Sequence, residues 1–215
     1  MSRRSTSAFS AETCTAALQS ASLLLTYPER STVEAAPLLA AVADRMPEPV
    51  AQPLRTMAAH LASTPLPQLQ QHYTEIFDLR RRCAPYLTYF SHGDTRQRGM
   101  ALLRFSHAYR AAGAEPVSSE LPDHLAVVCE FAASTDLEGG MRLLREHRAA
   151  IELVRRALDE AGSPYVAVLD LVRAVLPDAA PRDLEKALEL ARTGPPEETV
   201  GLEPFGPPEV TGARR

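Results

Sequence analysis

The side chains best suited to chemistry or recognition gather between Tyr73 and Gly99, in the stretch YTEIFDLRRRCAPYLTYFSHGDTRQRG. Tyr73, Phe77, Tyr86, Tyr89 and Phe90 fall within eighteen residues, interleaved with Arg80, Arg81, Arg82, Arg96 and Arg98. Aromatic rings mixed with arginine can stack on single-stranded RNA bases. The same residue types are enriched where proteins meet proteins. A third reading puts the rings in the core and pairs the arginines with acids such as Glu75 and Asp78. The formal net charge of -4 and pI near 5.9 weigh against phosphate gripping as the main task, so a protein partner is favoured over nucleic acid. The alternative, an RNA- or regulator-binding module using the 73–98 band, stays open at this point.

Other candidates are weaker. His92-Gly93-Asp94 offers one imidazole and one carboxylate, a pair that also makes an ordinary turn and helix cap. Asp123-His124 comes directly after Pro122: Asp123 suits a first helical turn, where a carboxylate meets free N–H groups, and His124 could face a groove as a recognition group. A small hydrolase using Asp123 and His124 is the enzyme reading, but no nucleophile motif accompanies them. Cys83 sits after three arginines, an electropositive setting that can depress a thiol pKa, yet lacks a nearby histidine or second cysteine. GxSxG, GxxxxGK[ST], GxGxxG and HExxH are all absent, and with them the usual catalytic, phosphate and zinc signatures. Catalytic, cofactor-binding and metal-binding residues are therefore expected to be none.

The elements that must position these residues read as helices. Of the 215 residues, 45% are hydrophobic but only 6% aromatic, with no Trp; alanine and leucine supply helix formers and little for strands to pair. Periodic apolar positions predict helices over about Phe9–Thr26, from a capping box at Ser31-x-x-Glu34, around Leu54, Met57 and Leu61, and through Leu69, Tyr73, Ile76 and Phe77. Cys83 to Gly93 reads as a long connection or broken helix. Asp94 is the expected cap for Thr95–Ala112, with Gly113 as its stop. Leu125, Val128, Cys129 and Ala132 fall at i, i+3, i+4 and i+7, predicting a helix after Pro122. Further helices are expected over Leu137–His147, Ile151–Ala161, Pro164–Leu176 with Ser163 as cap, and Pro181–Ala191. The expected fold is all-α: one helical domain of about nine or ten helices over residues 1–192. A disordered tail rich in Gly, Pro and Glu is expected at 193–215, with Leu202 and Phe205 as a candidate docking spot. Ser2-Arg3-Arg4 begins like an export signal, but Glu12, Thr13, Thr15, Gln19 and Ser20 break up the apolar stretch that such a signal needs. No segment reaches the ~18 apolar residues of a membrane span, and three widely spaced cysteines fit a reducing cytoplasm, so the expected location is cytoplasmic without direct membrane insertion.

Several segments resemble the NarJ family, the molybdenum-cofactor assembly chaperones of respiratory nitrate reductase, also called its delta subunit. They are His72 to Arg82, Tyr86-Leu87-Thr88-Tyr89, Ser91 to Arg96, Gly99 to Phe105 and Glu120 to Leu125, within a resemblance spanning about Leu18 to Ala191. The resemblance implies an all-helical redox-enzyme maturation chaperone, not an enzyme. Its implied partner is the catalytic (alpha) subunit of nitrate reductase, held cofactor-receptive until the molybdenum cofactor is inserted. Recognition of that subunit's N-terminal peptide and delayed docking on the membrane anchor are implied with it. A monomer or weak homodimer is expected.

A peptide of that kind is amphipathic and basic-tinged, and helix-in-groove docking needs an apolar trough with acidic rims. The expected trough has Leu125, Val128 and Phe131 on one side, with Glu120, Asp123 and Glu130 as acids. Tyr73, Phe77, Tyr86 and Tyr89 form the opposing wall, and Asp78, Leu87 and His124 complete the candidate set.

Overall fold

The computed structural model describes residues 8–114, 120–179, 181–194 and 196. Within them the chain is α-helical, with one isolated two-residue bridge and no strand. Ser10 caps α1 (Ala11–Leu24), its Oγ accepting from the Thr13 amide at 3.2 Å, a bond worth about 1 kcal/mol. The expected Ser31–Glu34 capping box gives way to one built two residues earlier, in which the Glu29 amide donates to Thr32 Oγ1 at 3.2 Å. The helix it opens, α2 (Arg30–Glu34), breaks at Ala35 and resumes as α3 (Ala36–Ala43). Pro37 is the cause: it has no N–H for the preceding turn and its ring would crowd that carbonyl.

Next come α4 (Glu48–Ser63) and α5 (Leu66–Tyr73), each entered after a proline. Leu54, Met57 and Leu61, the expected stripe of α4, are all buried. A π-turn at Thr74–Asp78 prolongs α5, closed by the Leu79 amide donating to the Thr74 carbonyl at 3.1 Å. The expected loop or broken helix is a 3₁₀ turn at Arg81–Cys83 and then α6 (Tyr89–His92). Asp94 does not cap α7 (Arg96–Ala111): Thr95 holds that position, and Asp94 instead accepts from Arg98 Nη1 at 3.0 Å. Gly113 ends this helix with φ +76°, as its type allows.

The second half is α8 (Leu125–Ser134), α9 (Leu137–Glu146), α10 (Arg148–Glu160), α11 (Val166–Val175) and α12 (Pro181–Thr193). Ser163 opens the turn before α11 rather than capping it, accepting from the Tyr165 amide at 3.3 Å. The helices beyond the nine or ten expected come, among the described residues, from the Ala35 break and the short α6. Beyond Thr193, the expected tail lies outside the described residues except for Gly194 and Pro196, as does Ser2-Arg3-Arg4.

One hydrophobic cluster joins the elements, from Cys14 to Ala187. α1 packs on α8 and α11, α4 on α3 and α11, and α8 on α9. The α8–α9 crossing is close because Gly140 faces Ala132, where any Cβ would overlap the alanine. Across α10 and α11, Glu152 takes Arg148 at 2.8 Å and Arg173 at 2.9 Å, while Asp170 takes Arg155 at 2.7 Å and Arg173 at 2.9 Å. This half-buried ladder fixes the register of the two helices, and its linked partners make it stronger than isolated surface pairs.

Candidate peptide-binding groove

A groove of about 540 Å³ opens where the end of α1, the π-turn and the start of α8 converge. Two backbone bonds hold its far wall: the Leu87 amide donates to the Asp123 carbonyl at 3.1 Å, and the Leu125 amide to the Pro85 carbonyl at 2.8 Å. Between them Tyr86 and His124 pair as the antiparallel bridge, their rings edge to face at 5.2 Å. The Tyr86 hydroxyl donates to Glu120 Oε2 at 3.1 Å. Burial, reinforced by the Glu120 charge and this bond, pushes the Tyr86 phenol up to about 12.

On the opposite wall the π-turn adds a residue to the helical spacing, a feature often found at functional sites. Phe77 and Asp78 line the groove there beside Tyr73. Tyr73 packs on Phe77 (4.8 Å) and Tyr27 (5.5 Å), and its hydroxyl donates to the Leu25 carbonyl at 3.0 Å. Behind them Tyr165, 2% exposed, meets Phe77 at 4.9 Å and Tyr73 at 6.0 Å. Tyr165 and Tyr27 have no signal in the local motifs, because both arrive from distant elements. Glu29 joins Asp78, Glu120 and Glu130 on the lining, and no lysine or arginine is among the described lining residues. The groove is therefore aromatic below and anionic around the edge.

Of the thirteen candidate residues, Tyr73, Phe77, Asp78, Tyr86, Glu120, His124 and Glu130 line this groove. Leu125, Val128 and Phe131 do not: they face the core, and Ala126 and Val127 line the groove in their place. The i, i+3, i+4, i+7 stripe of α8 is its core stripe, so the groove takes the next one, Ala126, Val127 and Glu130. Leu87 is likewise core, 1% exposed, and Tyr89 lines a different hollow beside Arg81 and Arg82.

Asp123 is not a rim acid. It is fully buried, with Oδ2 accepting from the Thr88 amide at 3.0 Å and from Thr88 Oγ1 at 2.6 Å, and Arg98 Nη2 3.8 Å away. Nor does it serve the first turn of α8. That task falls to His124, whose Nδ1 accepts from the Ala126 amide at 3.2 Å, leaving the proton of the neutral ring on Nε2. Burial lowers the His124 pKa, against the opposing pull of Glu120 and Asp123.

The aromatic band is largely covered. Tyr73, Phe77, Tyr89 and Phe90 are each only 6–7% exposed, and Arg98 lies over the rings of Tyr86 (5.3 Å) and Tyr89 (5.7 Å). Among the described residues Arg81 and Arg82 form no ion pair with Glu75 or Asp78; Glu75 accepts from Gln71 instead, at 2.8 Å. Burial raises the Cys83 pKa, outweighing the lowering by Arg80. Among the described residues no group of three or more His, Cys, Asp and Glu could hold a metal ion, and no helix is long and apolar enough to cross a membrane.

The profile of the nitrate reductase delta subunit family matches residues 43–170, more than half of the chain. This chain belongs to that family. Its delta-family relatives include the probable nitrate reductase molybdenum cofactor assembly chaperone NarJ of Bacillus subtilis, 30% identical over 115 residues, which are 54% of this chain and 62% of that protein. The NarJ chaperone of Escherichia coli K12 is 29% identical over 130 residues, 60% of this chain and 55% of its own. The nitrate reductase-like protein NarX of Mycobacterium tuberculosis is 43% identical over 148 residues, 68% of this chain but 22% of NarX. The chain thus matches about a fifth of NarX and less than two thirds of the two NarJ proteins. A solved structure from Archaeoglobus fulgidus, assigned to redox enzyme maturation, superposes with TM-score 0.57 and 26% identity, covering 74% of this chain and 91% of its own. The NarJ relatives carry the name of assembly chaperones, and the Asp123 carboxylate on which a hydrolase reading rested is fully buried.

Proposed function

We propose that this delta-family chain is a cytoplasmic assembly chaperone for a respiratory nitrate reductase. It binds the apo catalytic subunit, including its N-terminal peptide, and supports molybdenum cofactor insertion before timed assembly on the membrane. It works as a monomer or weak homodimer. The groove carries this reading: four aromatic rings, Tyr27, Tyr73, Phe77 and Tyr86, and four carboxylates, Glu29, Asp78, Glu120 and Glu130, line it together, and no lysine or arginine is among its described lining residues. Such a site suits the apolar face of a basic amphipathic helix. The rings give buried area, and the acids steer the approach and select the sign of charge.

The groove walls are held before any ligand arrives, by the Tyr86–His124 bridge and the two tyrosine hydroxyl bonds. Pre-organisation of this sort spares the ordering entropy that binding otherwise costs. The test is titration calorimetry of the purified chain with a synthetic N-terminal peptide of the nitrate reductase catalytic subunit encoded with it. Saturable binding that weakens as salt rises, together with co-purification of the whole subunit, is expected. A peptide that binds no better than a scrambled control, in a preparation that retains no subunit, would overturn the proposal.

A further inference from the structure

A second recess has the opposite charge. Two adjoining hollows of about 620 and 610 Å³ share Arg82 and Phe90 and form one trough beside the end of α12. Its apolar floor is Tyr89, Phe90, Leu153 and Leu190, and Arg81, Arg82, Arg156 and Arg192 stand around it. Glu160 is the one acid among its described lining residues, and it is already bonded to Arg156 at 2.8 Å. Arg81, Arg82 and Arg192 have no ion-pair partner among the described residues. Three exposed guanidinium groups beside buried aromatic rings, with no acid paired to them among the described residues, suit an acidic segment that also bears apolar side chains.

The chain itself leads such a segment into the trough. α12 ends at Thr193, Gly194 turns with φ +71°, and Thr193, Gly194 and Pro196 are themselves lining residues. The Pro196 carbonyl lies so close to Gly93 that any Cβ at 93 would overlap it. Gly93, at φ +56°, is thus suited both to ending α6 and to admitting this backbone. The sequence continues Glu197-Glu198-Thr199-Val200-Gly201-Leu202-Glu203-Pro204-Phe205: three acids and two large apolar residues, beginning at the arginine rim. We propose that the trough is the docking site of this segment, with Glu197 and Glu198 meeting Arg81 and Arg82 and the apolar residues covering the floor.

Covalent attachment makes the contact intramolecular, with an effective concentration in the millimolar range for so short a connection. A modest intrinsic affinity then suffices.

The test is amide hydrogen exchange on the full chain at low salt, comparing native protein with R81E/R82E and with the charge swap R81E/R82E/E197R/E198R. Both arginines are exposed, so an unchanged thermal midpoint is expected in every variant. Native residues 197–205 should exchange at least about tenfold more slowly than an unstructured peptide of the same sequence. R81E/R82E should abolish that protection and the charge swap should restore it. Free-peptide exchange rates in the native chain, or protection that survives R81E/R82E, would overturn the proposal. Because the readout involves no client, it stands or falls separately from the chaperone assignment.

Discussion

The acidic groove and the basic trough are neighbours with opposite construction. Tyr86 belongs to the first and Tyr89 to the second, and the Arg98 guanidinium lies 5.3 Å from one ring and 5.7 Å from the other. The groove is pinned by backbone: a bridge, two amide bonds to carbonyls, an imidazole cap and two hydroxyl anchors. Three of the trough's arginines, Arg81, Arg82 and Arg192, are exposed and hold no such bonds among the described residues, set on a 3₁₀ turn and α12. A pinned site confers affinity by being ready; a loose charged rim confers steering and a choice of sign. If both proposals hold, the contrast predicts tight peptide recognition in the groove and adjustable, salt-sensitive contacts in the trough.

The heaviest way to break the contrast is to remove what both sites share. Asp123 binds Thr88 and faces Arg98, and so ties the start of α8 to the segment that supplies Tyr86 and Tyr89. Asp123→Ala leaves the Thr88 amide and hydroxyl without their acceptor and the Arg98 guanidinium without its buried counter-charge. Losing one partner of a buried pair costs about 3–5 kcal/mol, which for a chain of this length lowers Tm by roughly 10 °C. Thermal melting monitored by circular dichroism measures it, and both peptide binding and protection of 197–205 should fall with it. Asp123→Asn, which keeps one acceptor, should fall between the two. A melting point within about 2 °C of native for the alanine variant, well inside the shift that loss of a buried partner brings, would show that the shared brace is not structural.

A sharper cut separates the sites. Tyr86→Ala removes a groove ring and the Glu120 bond but leaves the trough lining intact. Central interface tyrosines are worth about 2 kcal/mol, so affinity for the client peptide should drop roughly thirtyfold while 197–205 keep their exchange protection. Calorimetry and exchange on the same preparation settle both halves. Loss of both together would mean that the two sites are one unit. Smaller still is the charge on the rim. Glu120→Gln with Glu130→Gln should weaken the basic peptide by a few-fold at most, since exposed charges contribute about 0.2–1 kcal/mol each. The stronger signature is a flatter salt dependence of the association rate, read by stopped-flow fluorescence.

Legibility in the sequence tracks how local each interaction is. Helix positions are legible, because periodic leucines, prolines and Gly113 act within a few residues. Three displaced caps are not: Ser31, Asp94 and Ser163 have the right side chains, but the Glu29–Thr32 box, the Arg98 partner and the Tyr165 amide supersede or redirect them. The aromatic wall is visible as composition, whereas its third dimension is not. Tyr27 and Tyr165 enter from loops far along the chain, and the π-turn that places Asp78 has no residue signature. α8 shows the limit most clearly. Its apolar stripe at Leu125, Val128, Cys129 and Ala132 is plain in the sequence, yet a helix buried on its most apolar face must offer its second-best face to a ligand. That is why Ala126, Val127 and Glu130 form the wall. Asp123 eludes the sequence for a related reason: an acid next to a helix start suggests a cap or a rim, and only the fold reveals Thr88 and Arg98 waiting inside.

The smallest expected effect concerns pH, and it again distinguishes the sites. His124 lies in the groove wall, 3% exposed, among Glu120, Asp123 and the Tyr86 ring; no histidine is among the described residues lining the trough. Burial is the main cause of its lowered pKa, and the imidazole acts as an acceptor for the Ala126 amide, a role that the protonated ring cannot perform. The unfolded chain therefore takes up this proton first as pH falls below about 6.5. Its contribution to stability is complete above that value and is lost as pH falls towards the lower folded pKa. His60, His72 and His147 are shifted the same way, so the native slope is a sum and the difference between variants is the quantity to measure. His124→Asn keeps a capping acceptor without the titration. Urea melts at pH values from about 7.5 down to about 5, which bracket the ordinary histidine range, should give nearly equal stability at the upper end and a shallower decline for the variant. Basic-peptide affinity should show the same pattern, because an imidazolium in the groove wall repels the incoming cation, whereas protection of 197–205 should show no dependence on this substitution. Equal pH slopes for both proteins would mean that His124 stays neutral for reasons other than its place in the wall.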